Sequence, residues 1–111
     1  MREDAFQRFL ETKYKGLRSA KPLGNKSARD TVSRCRRIEL VLGVDLDAFL
    51  EKHPLDALLH RIIASAKRFR FSGSGHHALY MHVSAVRKYA TFKSGKQPSL
   101  KKPYAWVKRN I

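Results

Sequence analysis

After Asp56 the chain contains no acidic residue. All nine Asp and Glu lie in residues 1–56, beside twelve Lys and Arg; residues 57–111 hold twelve Lys and Arg and nothing to balance them. Cysteine is nearly as scarce. Cys35 stands alone, which excludes an internal disulfide and agrees with a reducing, intracellular setting, cytoplasmic or at a nucleoid. No apolar run approaches the roughly 18 residues of a membrane span. The opening MREDAFQRFLE lacks the apolar stretch of a secretion signal.

What is present describes a folded domain. A length of 111 residues suits one domain with one modest core. An apolar fraction of 42% against 30% charged residues separates it from disordered chains. The formal net charge is +15. Like charges repel, so an acid-free half is tolerated most easily when a polyanion supplies the missing sign. Nucleic acid is the commonest such partner and an anionic membrane surface the second. A basic surface kept only for solubility is the plain alternative.

Apolar spacing predicts helices throughout and no strand. The first helix runs from about Glu3 to Tyr14, with Phe6, Phe9 and Leu10 on one face. Residues 15–26, KGLRSAKPLGNK, read as a linker broken by Gly16, Pro22, Gly24 and Asn25. Ser27 is placed to cap a second helix, with Asp30 answering the next N–H groups and Ala28, Val32, Cys35, Ile38, Val41 and Leu42 as its buried stripe. Gly43 suits a left-handed stop, and Asp45 suits the cap of a short helix from Leu46 to about Lys52. Pro54 fits the first turn of a fourth helix whose apolar face is Leu55, Leu58, Leu59, Ile62 and Ile63. AKRFRFSGSG reads as a helix end and a turn. A fifth helix follows, with Leu79, Val83, Val86 and Ala90 inward, ending at Gly95. The fold class is all-α: a compact bundle of four to five helices over residues 1–95, then a basic, flexible tail over residues 96–111.

Three basic constellations stand out, each with an ordinary rival. Lys26, Arg29, Arg36 and Arg37 lie outside the buried stripe of the second helix, with Ser33 between, as a helix needs to lie along phosphates. The rival is a solvated face, with Arg29 pairing Asp30 and Arg36 pairing Glu39. On the fifth helix Ser84, Arg87 and Lys88 are expected to face outward, joined by His77 and His82, with no acid to compete for them. Lys67, Arg68 and Arg70 alternate with Phe69 and Phe71, either as charge plus a stacking platform for unpaired bases or, as is more usual, with the rings plugging the end of a small core. Lys101 and Lys102 extend the basic set into the tail.

Catalytic and metal chemistry find little to stand on. His76, His77 and His82 miss the three- or four-residue spacing of helical metal ligands, and no Cys or acid lies near them. Cys35 falls in an apolar stripe and reads as a core residue. The SGSG turn lacks the preceding strand and the lysine of a phosphate-binding loop. No cofactor is expected, and no enzymatic activity.

The order SARDTVSRCRRIELVLG, DLDAFL, LDALLHRIIA, loop, HHALYMHVSAVRKYATF resembles the core-binding domain of tyrosine recombinases and phage integrases, a SAM-like N-terminal domain. The likeness covers about Ser27 to Phe92 and includes Ser84, Ala85, Val86, Arg87, Lys88 and Tyr89 against that family's closing serine–small–Leu–Arg–x–Phe/Tyr pattern. It implies a module that clamps duplex DNA in DNA recombination, in a phage or mobile element. Arg29, Arg36, Arg37, Ser84, Arg87 and Lys88 would be its contacts. The family's catalytic domain needs well over a hundred further residues, which nothing after Gly95 supplies, so the resemblance implies no DNA cleavage. Two rivals remain: an RNA-binding component of a ribonucleoprotein, and a small basic adaptor or inhibitor docking on an acidic protein through Tyr104, Ala105, Trp106 and Val107.

Overall fold

Short-range chemistry at glycine, aspartate and proline sets where this chain turns. In a computed structural model, which describes residues 1–14, 21–70 and 75–95, the elements are α1 (Glu3–Thr12), α2 (Asn25–Leu42), α3 (Leu46–Lys52), α4 (Leu55–Ala64), a 3-10 turn (Ala66–Phe69) and α5 (Gly75–Ser94). Every regular element among the described residues is helical, as the apolar spacing predicts. Gly43 ends α2 at φ 66°, and its N–H donates to the Glu39 carbonyl; glycine has no Cβ to oppose that left-handed turn. Asp45 caps α3, accepting a hydrogen bond from the Ala48 N–H at 2.9 Å. Gly95, at φ 74°, closes α5 with its N–H on the Thr91 carbonyl.

Three boundaries differ from the sequence expectation, the first being α1, which ends at Thr12 and not at Tyr14. α2 starts three residues early: Gly24 occupies the cap position and Ser27 lies inside the helix, where its carbonyl accepts from the Thr31 hydroxyl. The first helical bond is Ala28 N–H to the Gly24 carbonyl at 2.9 Å, so Asn25, Lys26 and Ser27 form the first turn and Ser27 is past the position from which a side chain caps it. Pro54 is the cap residue of α4, one position before its first turn.

The core is one cluster built around α5. Phe6 and Leu10 of α1, Ala28, Val32, Cys35 and Ile38 of α2, Leu46 of α3, Leu58, Leu59 and Ile62 of α4 and Val83, Val86 and Tyr89 of α5 are all buried in it. Fully burying each large apolar side chain contributes about 1.5–3 kcal/mol, so the cluster is the main source of stability. Phe6 sets its ring edge-on to Tyr89 at 4.9 Å between centroids, and Phe92 closes the aromatic group from α5. Phe69 is also fully buried, so the 3-10 turn plugs the bundle with an aromatic side chain.

α5 packs against α1, α2 and α4, so it is enclosed and not laid along one side. Its polar residues are buried with the apolar ones: His82, Arg87 and Thr91 join Leu79, Val83 and Val86. No helix among the described residues is long and apolar enough to cross a membrane.

Candidate nucleic-acid interface

α2 carries its apolar stripe inward and leaves Lys26, Arg29, Ser33, Arg36, Arg37 and Leu40 exposed, together with Asp30. The neighbouring pairs read from the sequence are replaced by a long-range one. Arg36 Nε donates to Glu3 Oε1 at 2.5 Å, from α2 across to the start of α1, which takes Arg36 out of the unneutralised set. Glu39, its expected partner, holds the N-terminal ammonium of Met1 at 3.1 Å and caps Leu46 N–H at 2.9 Å. Arg29 has no ion pair with Asp30.

Arg37 donates from its guanidinium to the carbonyl of Phe69, which ties the middle of α2 to the end of the 3-10 turn. The turn itself exposes Lys67 and Arg68. Arg70 follows in the left-handed region at φ 51°, ψ 51°, costly for a residue with a Cβ, and is exposed. This bond therefore brings one arginine of α2 beside three cations of the turn. No carboxylate among the described residues lies within ion-pair distance of Arg29, Lys67, Arg68 or Arg70. Beneath them lies His82, its ring 5.4 Å from that of Phe69 and its Nδ1 2.8 Å from the Ala78 carbonyl. Burial pulls the His82 pKa down, and the positive charges of Arg37 and Arg34 add to the effect, so the imidazole is neutral at pH 7.

The outward face expected for α5 is corrected. Arg87 is buried, with 8% of its surface exposed; Ser84 and Lys88 are half-buried, and Lys88 Nζ donates to Ser84 Oγ at 2.8 Å. His82 is buried, and only His77 of that group is exposed. The cause is the enclosure of α5 by three helices. Of the two readings of the Phe69–Phe71 pair, Phe69 takes the more usual one and is a core residue, while Phe71 lies outside the described residues, as do Lys101, Lys102 and the aromatic tail segment from Tyr104 to Val107. Tyr14 and Arg34, which were not among the expected contacts, stand beside Arg87 and Lys88 through charge and ring contacts.

The acids gather at another corner of the molecule. Glu39, Asp45 and Asp47 surround the Met1 ammonium at 3.1, 2.6 and 3.8 Å. Asp47 also accepts from the Tyr89 hydroxyl at 2.6 Å and lies 3.6 Å from Arg2 and 3.8 Å from Lys93. Lys93 reaches Glu51 at 3.4 Å. Among the described residues no three His, Cys, Asp or Glu side chains gather where a metal ion could be held. Cys35 is fully buried, and burial pushes its thiol well above the usual range, an arrangement for packing and not for nucleophilic attack.

Comparison of the chain with family models, with curated proteins and with solved structures finds no match.

Proposed function

We propose that this chain is a non-catalytic module that grips duplex DNA mainly through its phosphates, with Lys26, Arg29, Arg37, Lys67, Arg68 and Arg70 as the contact surface. The observation that carries this is the Arg37–Phe69 hydrogen bond, which joins a basic helix face to a basic turn over a region poor in carboxylates. Phosphate neutralisation is sequence-independent and asks only for exposed cations in a row that follows the backbone. A 20-residue helix enclosed by its neighbours gives those cations a rigid base.

A kinship with the core-binding domains of tyrosine recombinases belongs to the same proposal and rests on helix order. Of the contacts it carries over, Arg29 and Arg37 suit the role by exposure. Arg36 is engaged by Glu3, and Arg87 is buried. Duplex DNA is preferred to single strands or RNA because the one described aromatic of the basic turn, Phe69, is sealed in the core and offers no ring for a base to stack on.

Filter binding across a salt series tests the proposal, with duplex DNA, single-stranded DNA and duplex RNA of equal length. Six phosphate contacts give a slope of log K against log salt of about −5. A slope near zero, or tighter binding to RNA or single strands than to duplex DNA at matched salt, overturns it.

A further inference from the structure

The exposed face of α2 has an order of its own. Positions seven apart in a helix lie nearly in line, and Lys26, Ser33 and Leu40, all exposed, form the crest of that face. Arg29 and Arg36 run along one side of the crest, Asp30 and Arg37 along the other. Thr31, Cys35, Ile38 and Leu42, on the opposite side of the helix, are buried, so the crest points directly away from the core.

Leu40 is 77% exposed, the one large apolar side chain among the described residues left in that state. A single exposed leucine is ordinary in a folded protein; its place among cations is what carries weight. It offers no apolar patch of the size that docks a protein, because Val41 and Val44 are packed against the core. A second copy of the chain laid on this face would bring Arg29 and Arg37 against their own charge. Asp30 repels phosphate on its side of the crest. Cations therefore flank both sides of the crest only from Ser33 onward, with Arg29 and Arg36 on one side and Arg37 on the other. Arg36 shares its charge with Glu3, while its side chain stays 51% exposed.

A major groove about 12 Å wide admits an α-helix, with its crest toward the base edges and its flanks toward the phosphate rims. Ser33 and Leu40 stand about 10 Å apart along the axis, roughly three base-pair steps. A leucine has no hydrogen bond to give there. The apolar group that an unmodified base pair presents in that groove is the C5-methyl of thymine. We propose that α2 enters the major groove with Leu40 packed on a thymine methyl, so that the chain distinguishes thymine-bearing duplexes and does not respond to phosphates alone. This rests on the duplex-DNA reading above and adds to it a residue that reads the bases. Ser33, at the preceding crest position, has a hydroxyl that suits either a donor or an acceptor on a base edge and so adds little preference of its own.

The experiment uses the full chain with alternating adenine–thymine duplexes and with the same duplexes carrying uracil in place of thymine. The two have equal charge and equal hydrogen-bonding edges, and every register of the first presents methyl groups. Burying one methyl against Leu40 makes the thymine duplex bind about fourfold more tightly at matched salt, with the same salt slope for both. Leu40→Ser, at an exposed position, keeps the melting midpoint and the slope and binds the two duplexes equally. Equal affinity of the unaltered chain for thymine and uracil duplexes, with the slope still steep, overturns the inference and leaves the phosphate reading standing. A thymine preference that persists undiminished in Leu40→Ser also overturns it, since the methyl is then felt elsewhere. A slope near zero on both duplexes overturns the two together.

Discussion

At the α3 corner four carboxylates, Glu39, Asp45, Asp47 and Glu51, share three cations, the Met1 ammonium, Arg2 and Lys93. Along α2 and the 3-10 turn, Arg29, Lys67, Arg68 and Arg70 have no such partner among the described residues. The first region satisfies its charges internally and ties α1, α2, α3 and α5 together. The second leaves its charge facing solvent and ties only α2 to the turn, through Arg37. One region therefore serves the fold, and the other has charge to spare for a partner. Their residues are separate, so stability and binding can be changed largely one at a time, Arg37 excepted, since it also holds the turn.

The strongest way to break this contrast is on the basic side. Arg37, Arg68 and Arg70 changed together to Ala should weaken duplex DNA binding on the order of 100-fold near physiological salt and make the salt slope shallower by nearly three, read by filter binding. An unchanged slope would remove the turn from the interface. On the acidic side the largest single effect is expected from Tyr89→Phe. The tyrosine hydroxyl accepts from Arg2 N–H at 3.1 Å while donating to Asp47, and losing it should cost about 1–3 kcal/mol in denaturant unfolding with the DNA slope intact. Asp45→Ala removes the α3 cap and one partner of the ammonium, for about 1 kcal/mol by the same measurement.

Arg70→Gly tests both regions in one variant. Relief of the left-handed backbone outweighs the added freedom of the unfolded chain by roughly 0.5 kcal/mol, so the protein should melt slightly higher while binding DNA a few-fold less well. A loss of both stability and affinity would mean that Arg70 serves the fold.

pH gives the smallest and most specific readout. Burial lowers the Met1 ammonium pKa, but hydrogen bonds and charge from Asp45 and Glu39 together raise it above its ordinary 8.0. A raised amine stabilises the fold fully below about pH 8 and loses that contribution as pH climbs through the folded value. Asp45 behaves in the opposite sense. Its hydrogen bond with the ammonium, aided by the Ala48 N–H, lowers its pKa, so its contribution holds above the ordinary aspartate range and disappears as acid protonates it. Acetylating the N-terminus should abolish the alkaline loss and, because the ammonium is the main cause of the lowered Asp45 pKa, reduce the acid loss as well.

Much of the bundle was legible because its determinants are local. Gly43, Asp45 and Gly95 mark helix ends through hydrogen bonds within four residues, and the stripes of α2 and α4 follow from one-sided burial. α5 was misread on the same logic. A helix packed on one side shows its exposed face by polarity, but a helix held by three neighbours buries His82, Arg87 and Thr91 with the rest, so polarity no longer marks the outside. The ion pairs were illegible for another reason. Arg36 with Glu3 and Met1 with Asp45 are separated by 33 and 44 positions, and no spacing rule reaches that far. The division of charge between the chain's halves also maps poorly onto the fold: Lys93, from the acid-free half, is neutralised at α3, while Arg29 and Arg37, from the mixed half, lie on the basic surface.

The sealed thiol has a practical consequence. Cys35 lies wholly inside the cluster, where α2 packs on α5, and reagents that need a thiolate cannot reach it until those helices part. Since the sequence holds no other cysteine, the labelling rate of the native protein becomes a one-residue clock for how often that seam opens, and whatever ligand fastens the two helices together should slow it.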